Sequence, residues 1–439
     1  MTMLYIVLML VAFGGYANKK YVLFLVCMLG LVSRFFMLDT TEDVIATIKG
    51  SDLALFLMFV LLPIAYKRAK YLFSVHGDSL ARWTYIFLAF YVLELFVTVF
   101  LGHENLFNSL KVIRSAFFMC GFFILRIIPL DYYKRFLKIA LWITLIQTAL
   151  YFLQFVGVSI LSGKRDIPED ADYYKTNIPT LALLFICLLW NFEYLKKKRF
   201  ILIAVLFAVV LASFVRGTII AVLFGLFYYT AFISKGRKRF FMIILLLITI
   251  PLALRFINKK AEISGSSQRG LEEIESVINQ RNHPETISSE DGTLAFRIAM
   301  LFERADWLKN NPKYLLTGVG TMHEDSPKTL QMFDFSLGTR NEERFYGRTI
   351  IESGDIAWVP IVLRYGIIGV FIHLMMFFLL FHVTRKRKDL LVMFSVYAII
   401  AFMRTLDGPY FELPSLVFIH MLLFVIVSRS NLENKPLIL

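Results

Sequence analysis

The sequence predicts an all-α polytopic membrane protein of about 12–13 transmembrane helices, with one large polar loop on the outer side of the bilayer. Three observations carry that expectation. The chain of 439 residues is 58% hydrophobic and only 18% charged, far from the usage of a soluble domain. Its apolar residues fall in runs of about 17–25, a length that crosses roughly 30 Å of hydrocarbon as a helix with every backbone group bonded internally. Its basic residues gather in short clusters at every second connection between those runs, the pattern of the positive-inside rule.

Taken in order, helices are expected near 2–18, 21–38, 51–66, 83–102, 108–128, 136–160, 177–194, 200–214, 217–233, 240–257, 357–383, 390–404 and 414–428. The first run, Met1 to Tyr16, has no basic region before it and no small-residue cleavage pattern after it. It is expected to stay in the protein as a membrane helix. The basic clusters are Lys19–Lys20, Lys67–Arg68–Lys70, Lys134–Arg135–Lys138, Lys196–Lys197–Lys198–Arg199, Lys235–Arg237–Lys238–Arg239 and Arg385–Lys386–Arg387–Lys388. The alternate connections, 39–50 and 103–110, have few cations. One frame therefore fits all six clusters: they face the cytoplasm, and the segment 258–355 faces the opposite side.

Three regions follow: 1–257 with about ten helices, the loop 258–355, and 356–439 with about three helices and a short cytoplasmic tail. Pro179, Pro251, Pro360 and Pro414 sit near expected helix ends, where proline costs least. Cys27, Cys120 and Cys187 all lie in apolar runs without metal-ligand spacing and read as small core residues.

The loop is the outlier in charge. It holds 12 Lys or Arg against 16 Asp or Glu, about −4, which leaves +18 for the rest of a chain that carries +14. Because the excess cations sit in the inner clusters, they orient the protein in a membrane and imply no nucleic-acid partner. Within the loop, GTLAFRIAMLFERADWLKNNP reads as an amphipathic helix stopped by Asn311–Pro312. Ala295, Ile298, Leu301, Phe302 and Ala305 share its expected apolar face, with Arg297 and Arg304 on another side. Leu316-Thr317-Gly318-Val319-Gly320 follows as a tight turn, lacking the setting and third glycine of a dinucleotide fingerprint. His323, beside Glu324 and Asp325, has no second histidine near enough to make a metal site.

Charges at the membrane edge narrow the function. Arg34, Arg114, Arg216, Arg364 and Arg404 fall in or beside apolar runs, with Lys111 close to Arg114. An arginine at a helix centre costs about 2.5–3.5 kcal/mol on insertion scales. Any one of them is explained as an interfacial anchor. Several on the outer side are better explained by an anion held at that surface. Arg216, in LASFVRGTIIAVLFG, stands at the tip of a hairpin too tight to leave a real loop. Its planar fork suits two phosphate oxygens at once.

These residues resemble a family. The hairpin with Arg216-Gly217, the long outer loop, Arg297 ahead of Trp307, Pro312 before Gly318-Val319-Gly320, and Asp355-Ile356-Ala357-Trp358 leading into Arg364-Tyr365-Gly366-Ile367-Ile368-Gly369 are similar to the O-antigen polymerase and O-antigen ligase superfamily, the Wzy-type membrane glycosyltransferases. The motifs are confined to about 212–370. The resemblance implies a GT-C-like enzyme of the bacterial inner membrane that works at its periplasmic face. It would take a glycan from undecaprenyl diphosphate and pass it to an acceptor hydroxyl, without a metal ion or other cofactor. Arg216 and Arg297 would be the arginines that hold the diphosphate. A chain-length regulator is a possible further partner. The ligase branch typically carries a histidine before the next membrane helix where this chain has Asp355. That departure leans toward a polymerase.

The chemistry agrees with this expectation. Breaking the glycosidic bond puts negative charge on the diphosphate, and each fixed donor can contribute about 3–4 kcal/mol. A base for the acceptor hydroxyl is worth roughly 10²–10⁴-fold. Asp355, Glu352 and His323 are the candidates, with Arg114, Arg304, Arg364 and Arg404 as further substrate-binding groups and Tyr346, Phe345 and Trp358 as sugar-stacking rings. Asp355 has a simpler reading as the N-cap of a helix starting near Ile356. Ligase or related transferase chemistry, a flippase of the same lipid-linked glycan and a structural scaffold are the alternatives. A flippase would call for paired broken helices and ionisable groups near the midplane, neither of which is evident in the sequence.

Overall fold

The computed structural model describes residues 2–37, 49–74, 76–102, 104–156, 158, 161, 178–190, 192, 195, 198–213, 215–236, 239–240, 243–244, 246–247, 251, 293–324, 326–333, 335, 351, 356–406 and 408–438. The side chains of Thr2, Arg34, Met37, Val156, Arg216, residues 293–299 and Leu330 lie outside that description. The described chain is helical. Its elements are α1 (Thr2–Ala17), α2 (Tyr21–Val32), α3 (Gly50–Arg68), α4 (Ser79–Phe96) and α5 (Leu106–Ile113), then α6 (Gly121–Leu125) and α7 (Leu130–Leu153). After these come α8 (Ala182–Leu189), α9 (Lys198–Ala212), α10 (Arg216–Tyr228) and α11 (Thr293–Asn310). The chain closes with α12 (Pro327–Met332), α13 (Trp358–Thr384), α14 (Val392–Arg404) and α15 (Pro414–Glu433).

Among the described residues five helices are long and apolar enough to cross a membrane: Gly50–Arg68, Ser79–Leu101, Leu130–Leu153, Trp358–Thr384 and Pro414–Glu433. A sixth span results if Leu106–Ile113 and Ala116–Leu125, bent by 64°, count as one. Met3–Ala17, Tyr21–Val32, Gly217–Ile233 and Val392–Arg404 are apolar but shorter. Twelve of the expected runs thus contain helix, many in shorter or bent pieces than hydropathy implied; the run 240–257 lies mostly outside the described residues. The reasons are local. Past Ser33 the chain takes positive φ at Phe35 and Phe36 and leaves α2, while only residues 213–215 separate Lys198–Ala212 from Arg216–Tyr228, which packs mainly on Val392–Arg404. Pro414 occupies the first turn of α15, where its missing N–H costs nothing. Cys27, Cys120 and Cys187 are buried free thiols.

The connections divide into two sets that bond within themselves. In one, Arg68 donates to the carbonyls of Tyr16 (3.0 Å) and Ala17 (2.9 Å). Arg126 pairs with Asp78 at 2.9 Å, and the Leu130 amide donates to Glu433 at 3.1 Å. In the other, Gln147 donates to the Phe36 carbonyl (2.6 Å) and Arg114 pairs with Asp52 (3.5 Å). That second set also ties Thr98 to Thr321, Glu104 to Ser326, and Thr405 to Ala357. The clusters around Lys19, Arg68, Lys134 and Arg387 belong with the first set, and the described part of 258–355 with the second. Among the helices tied by these bonds, chain direction alternates between the two ends.

The described part of 258–355, the segment expected on the outer side, has its own small core. Leu308, Met322, Phe333, Phe335 and Ile351 are buried together against Leu363 of α13, with Trp307 and Tyr314 packed on them. Trp307 stacks on Tyr314 with ring centroids 5.6 Å apart, and Phe333 stacks on Phe335 at 5.2 Å. The expected helix is present as α11 and stops at Asn311–Pro312. Its buried face matches the expected one in part: Leu301 packs on the main core. Met300, Arg304 and Leu308 are buried, at i, i+4 and i+8, while Phe302 is 44% exposed. Arg304 can face inward because its head pairs with Glu303 and lies 4.2 Å over the Phe335 ring.

Candidate functional site

Two backbone segments meet where the outer segment joins the membrane helices. Gly366 interrupts α13 with φ 56° and ψ −154°. The break leaves helix amides and carbonyls without partners, which an apolar slab does not tolerate. The Leu315–Gly320 turn supplies them. Val319 and Gly320 amides donate to the carbonyls of Leu363 (3.0 Å) and Arg364 (2.8 Å). Ile367 and Ile368 amides donate to Leu315 (3.1 Å) and Leu316 (3.0 Å). Gly318 and Gly320 both have positive φ, and a Cβ on Gly318 would lie 2.3 Å from the Arg364 carbonyl carbon. The two glycine motifs of the sequence therefore bind each other.

A second junction forms at the start of α10. Val215 holds its N-cap position and offers no side-chain cap, so its first amides are not satisfied by a capping side chain. The last residue of α14, Arg404, donates a hydrogen bond to Thr218 Oγ1, one turn into α10. Arg216 is the first residue of that helix; its side chain lies outside the description. The uncapped N-terminus of α10, which begins at Arg216, and Arg404, bonded into its first turn, come to one focus. The neighbouring Thr405 ties this focus to the start of α13. Its carbonyl accepts from the Ala357 amide at 3.0 Å, and its hydroxyl accepts from Trp358 Nε1 at 2.8 Å. The chain that leaves Asp355 thus enters the membrane beside Arg404.

The remaining expected residues distribute as follows. Arg364 is buried, and its Nε donates to the Met322 carbonyl at 3.1 Å, next to His323. The His323 carbonyl accepts from the Ser326 amide (3.1 Å) and the Thr329 hydroxyl (2.7 Å). Arg297 lies on α11 two turns before Arg304, with its side chain outside the description. Arg114 stands apart at the bend between α5 and α6, paired with Asp52. Glu352, Asp355, Phe345 and Tyr346 lie outside the described residues. The helix after them starts at Trp358 with Ala357 in the cap position, later than expected. Trp358 is 8% exposed, hydrogen-bonded to Thr405 and packed on Phe411 at 5.8 Å. It is part of the core, so the expectation that it stacks on a sugar is corrected.

Sequence reasoning passed over a polar group inside the bundle. Tyr91 and His373 are buried and hydrogen-bonded, hydroxyl to Nε2, at 2.8 Å. His373 Nδ1 faces the Gly369 carbonyl at 2.7 Å, so Nδ1 carries the proton and Nε2 accepts from Tyr91. Glu94, one turn along α4 from Tyr91, is also buried. A lone acid within the apolar run YVLELFVTVF was the signal available for it. Broken helices and internal ionisable groups were not evident in the sequence; the structure has a break at Gly366, a bend between α5 and α6, and buried Glu94, His373 and His420.

No protein-family model matches the chain, and no curated protein matches its sequence.

Proposed function

We propose that this chain is a polysaccharide polymerase, a GT-C-like glycosyltransferase of the bacterial inner membrane. It transfers a glycan from undecaprenyl diphosphate to an acceptor sugar hydroxyl at the periplasmic face. The observation that carries this reading is the bond from Arg404 to Thr218, which sets a second arginine at the uncapped helix end opened by Arg216. Polymerase chemistry needs positive charge fixed at the surface where a lipid diphosphate lies.

In the proposed step the acceptor oxygen attacks the anomeric carbon of the lipid-linked glycan. The Asp355 carboxylate takes the hydroxyl proton, with Glu352 and His323 as the other bases in this stretch. The bond from the anomeric carbon to the diphosphate oxygen breaks, and its electron pair leaves with the lipid diphosphate. Arg216, Arg297 and Arg404 meet the charge that develops there. Arg304 and Arg364 hold the outer segment over the site, through the Phe335 ring and the Met322 carbonyl.

Deleting the gene in its host and resolving surface glycans on a gel tests this reading. Loss of a polymerase leaves single repeats on the cell-surface acceptor. Long polymer stranded on the lipid carrier would instead assign ligase chemistry. A flippase is the second reading that a specific observation favours, because α13 is broken at Gly366 beside buried ionisable residues. Lipid-linked repeats retained on the cytoplasmic face would assign that.

A further inference from the structure

The carboxylate of Glu94 is buried in α4 without a protein partner. The residue is 5% exposed, and among the described residues it makes no hydrogen bond or ion pair. Its oxygens are not sealed, since neither is among the buried polar atoms that lack a partner. Seven residues separate it from Leu101 at the outer end of the span, about 10 Å along a helix. One turn above, Thr98 accepts the Thr321 amide at 2.9 Å, so the outer segment covers this position.

The neighbours explain why no partner is supplied from within. Tyr91 has its proton committed to His373, and Tyr365 packs edge-on against Tyr91 with ring centroids 5.2 Å apart. Arg364 stands in electrostatic range of both tyrosines and gives its Nε to Met322. A carboxylate held in a bundle without a donor is costly and is kept where a ligand supplies the donors. Aromatic rings stand between this position and the arginine focus. His373 contacts Phe411 at 4.6 Å, Phe411 contacts Trp358, and Trp358 bonds Thr405 beside Arg404.

We propose that Glu94 accepts hydrogen bonds from sugar hydroxyls of the acceptor repeat, in a subsite set apart from the arginines that hold the diphosphate. This rests on the glycan-transfer reading. A carboxylate offers two oxygens and about four lone-pair sites, which suits a pair of neighbouring hydroxyls.

The test uses Glu94→Gln, Glu94→Leu and Glu94→Asp in the purified full-length protein. The probe is the lipid-linked repeat extracted from a host strain lacking the gene. Glu94→Gln and Glu94→Leu should raise the half-saturating concentration for elongation about 10- to 100-fold, the size of a hydrogen bond to a charged group, with little change in kcat. Glu94→Asp should recover part of the loss. The apparent Tm of Glu94→Gln without substrate should stay level or rise, because an unpartnered buried charge has been removed. A Tm that falls in step with activity, a loss in kcat alone, or wild-type saturation in Glu94→Gln each overturns the subsite. If deleting the gene leaves surface glycans unchanged, the glycan-transfer reading falls and the subsite with it. A deletion phenotype of single repeats beside a normal Glu94→Gln variant removes the subsite alone.

Discussion

The amide of Gly320 donates to the carbonyl of Arg364 at 2.8 Å, across a break in a membrane helix. With the Val319–Leu363, Ile367–Leu315 and Ile368–Leu316 bonds, it fastens the outer segment to the bundle through backbone alone. Side chains on either glycine motif would block that approach. The junction therefore depends on residues without a Cβ more than on any charge.

Gly318→Ala should accordingly destabilise the protein. Its φ of +70° costs an L-residue about 1–2 kcal/mol, and the added Cβ would meet the Arg364 backbone at 2.3 Å. Gly14→Ala is the control, since nothing lies within 4 Å of a Cβ there. Thermal unfolding in detergent should show a lower midpoint for Gly318→Ala and an unchanged or higher one for Gly14→Ala. Equal midpoints would mean that the turn is not held against α13 in the way described.

The arginines carry the second prediction. Arg216→Ala and Arg297→Ala should each abolish polymer while the protein still accumulates in the membrane. The lysine variants should rescue poorly, because a point charge cannot make the two-pronged contact of a guanidinium. Normal polymer length from Arg216→Ala would reduce that arginine to an interfacial anchor.

Asp355 separates a base from a structural residue. Asparagine keeps its size and hydrogen bonding but cannot take a proton. Asp355→Asn should bind the lipid-linked substrate and turn it over at least about 100-fold more slowly. Asparagine is as good an N-cap as aspartate, so a structural cap at this position would survive the change and leave turnover near wild type. Turnover near wild type would move the search to Glu352 or His323.

Sidedness is checked with reporter fusions. Fusions after Arg199, Arg239 and Lys388 should report cytoplasm, and one near Gly292 should report the periplasm. A cytoplasmic signal at Gly292 would remove the shared surface on which every site assignment depends.

Much of the architecture was legible because a bilayer imposes long apolar runs, and the basic clusters then order their ends. The short break between Lys198–Ala212 and Arg216–Tyr228 and the stop at Asn311–Pro312 were visible for local reasons. The face of α11 was visible only in part. A guanidinium counts as polar in any periodicity, yet Arg304 is fully buried once Glu303 and the Phe335 ring receive it. The break at Gly366 was hidden because glycine is common in membrane helices and its partner turn lies about fifty residues earlier. Glu94 was readable as a lone acid, but only the structure shows that no described side chain answers it.

The last prediction concerns how Arg404 acts. It donates to Thr218, which is fully buried in the first turn of α10, and it closes α14 beside the entry of α13. If that bond aims the guanidinium at the helix end, Thr218→Val should cost activity although valine fills the same volume and the charge remains. A loss of about tenfold is expected, the size of one hydrogen bond to a charged group. Arg404→Ala should cost more, since it removes the charge itself. The double variant decides between aiming and mere neighbourhood. Residues that act through one contact are not additive, so Thr218→Val should add little to Arg404→Ala. Elongation rates of the four proteins, measured on the same lipid-linked repeat at equal membrane abundance, complete the cycle. Fully additive losses would show that Thr218 and Arg404 contribute separately, and the cationic focus at α10 would lose its second arginine.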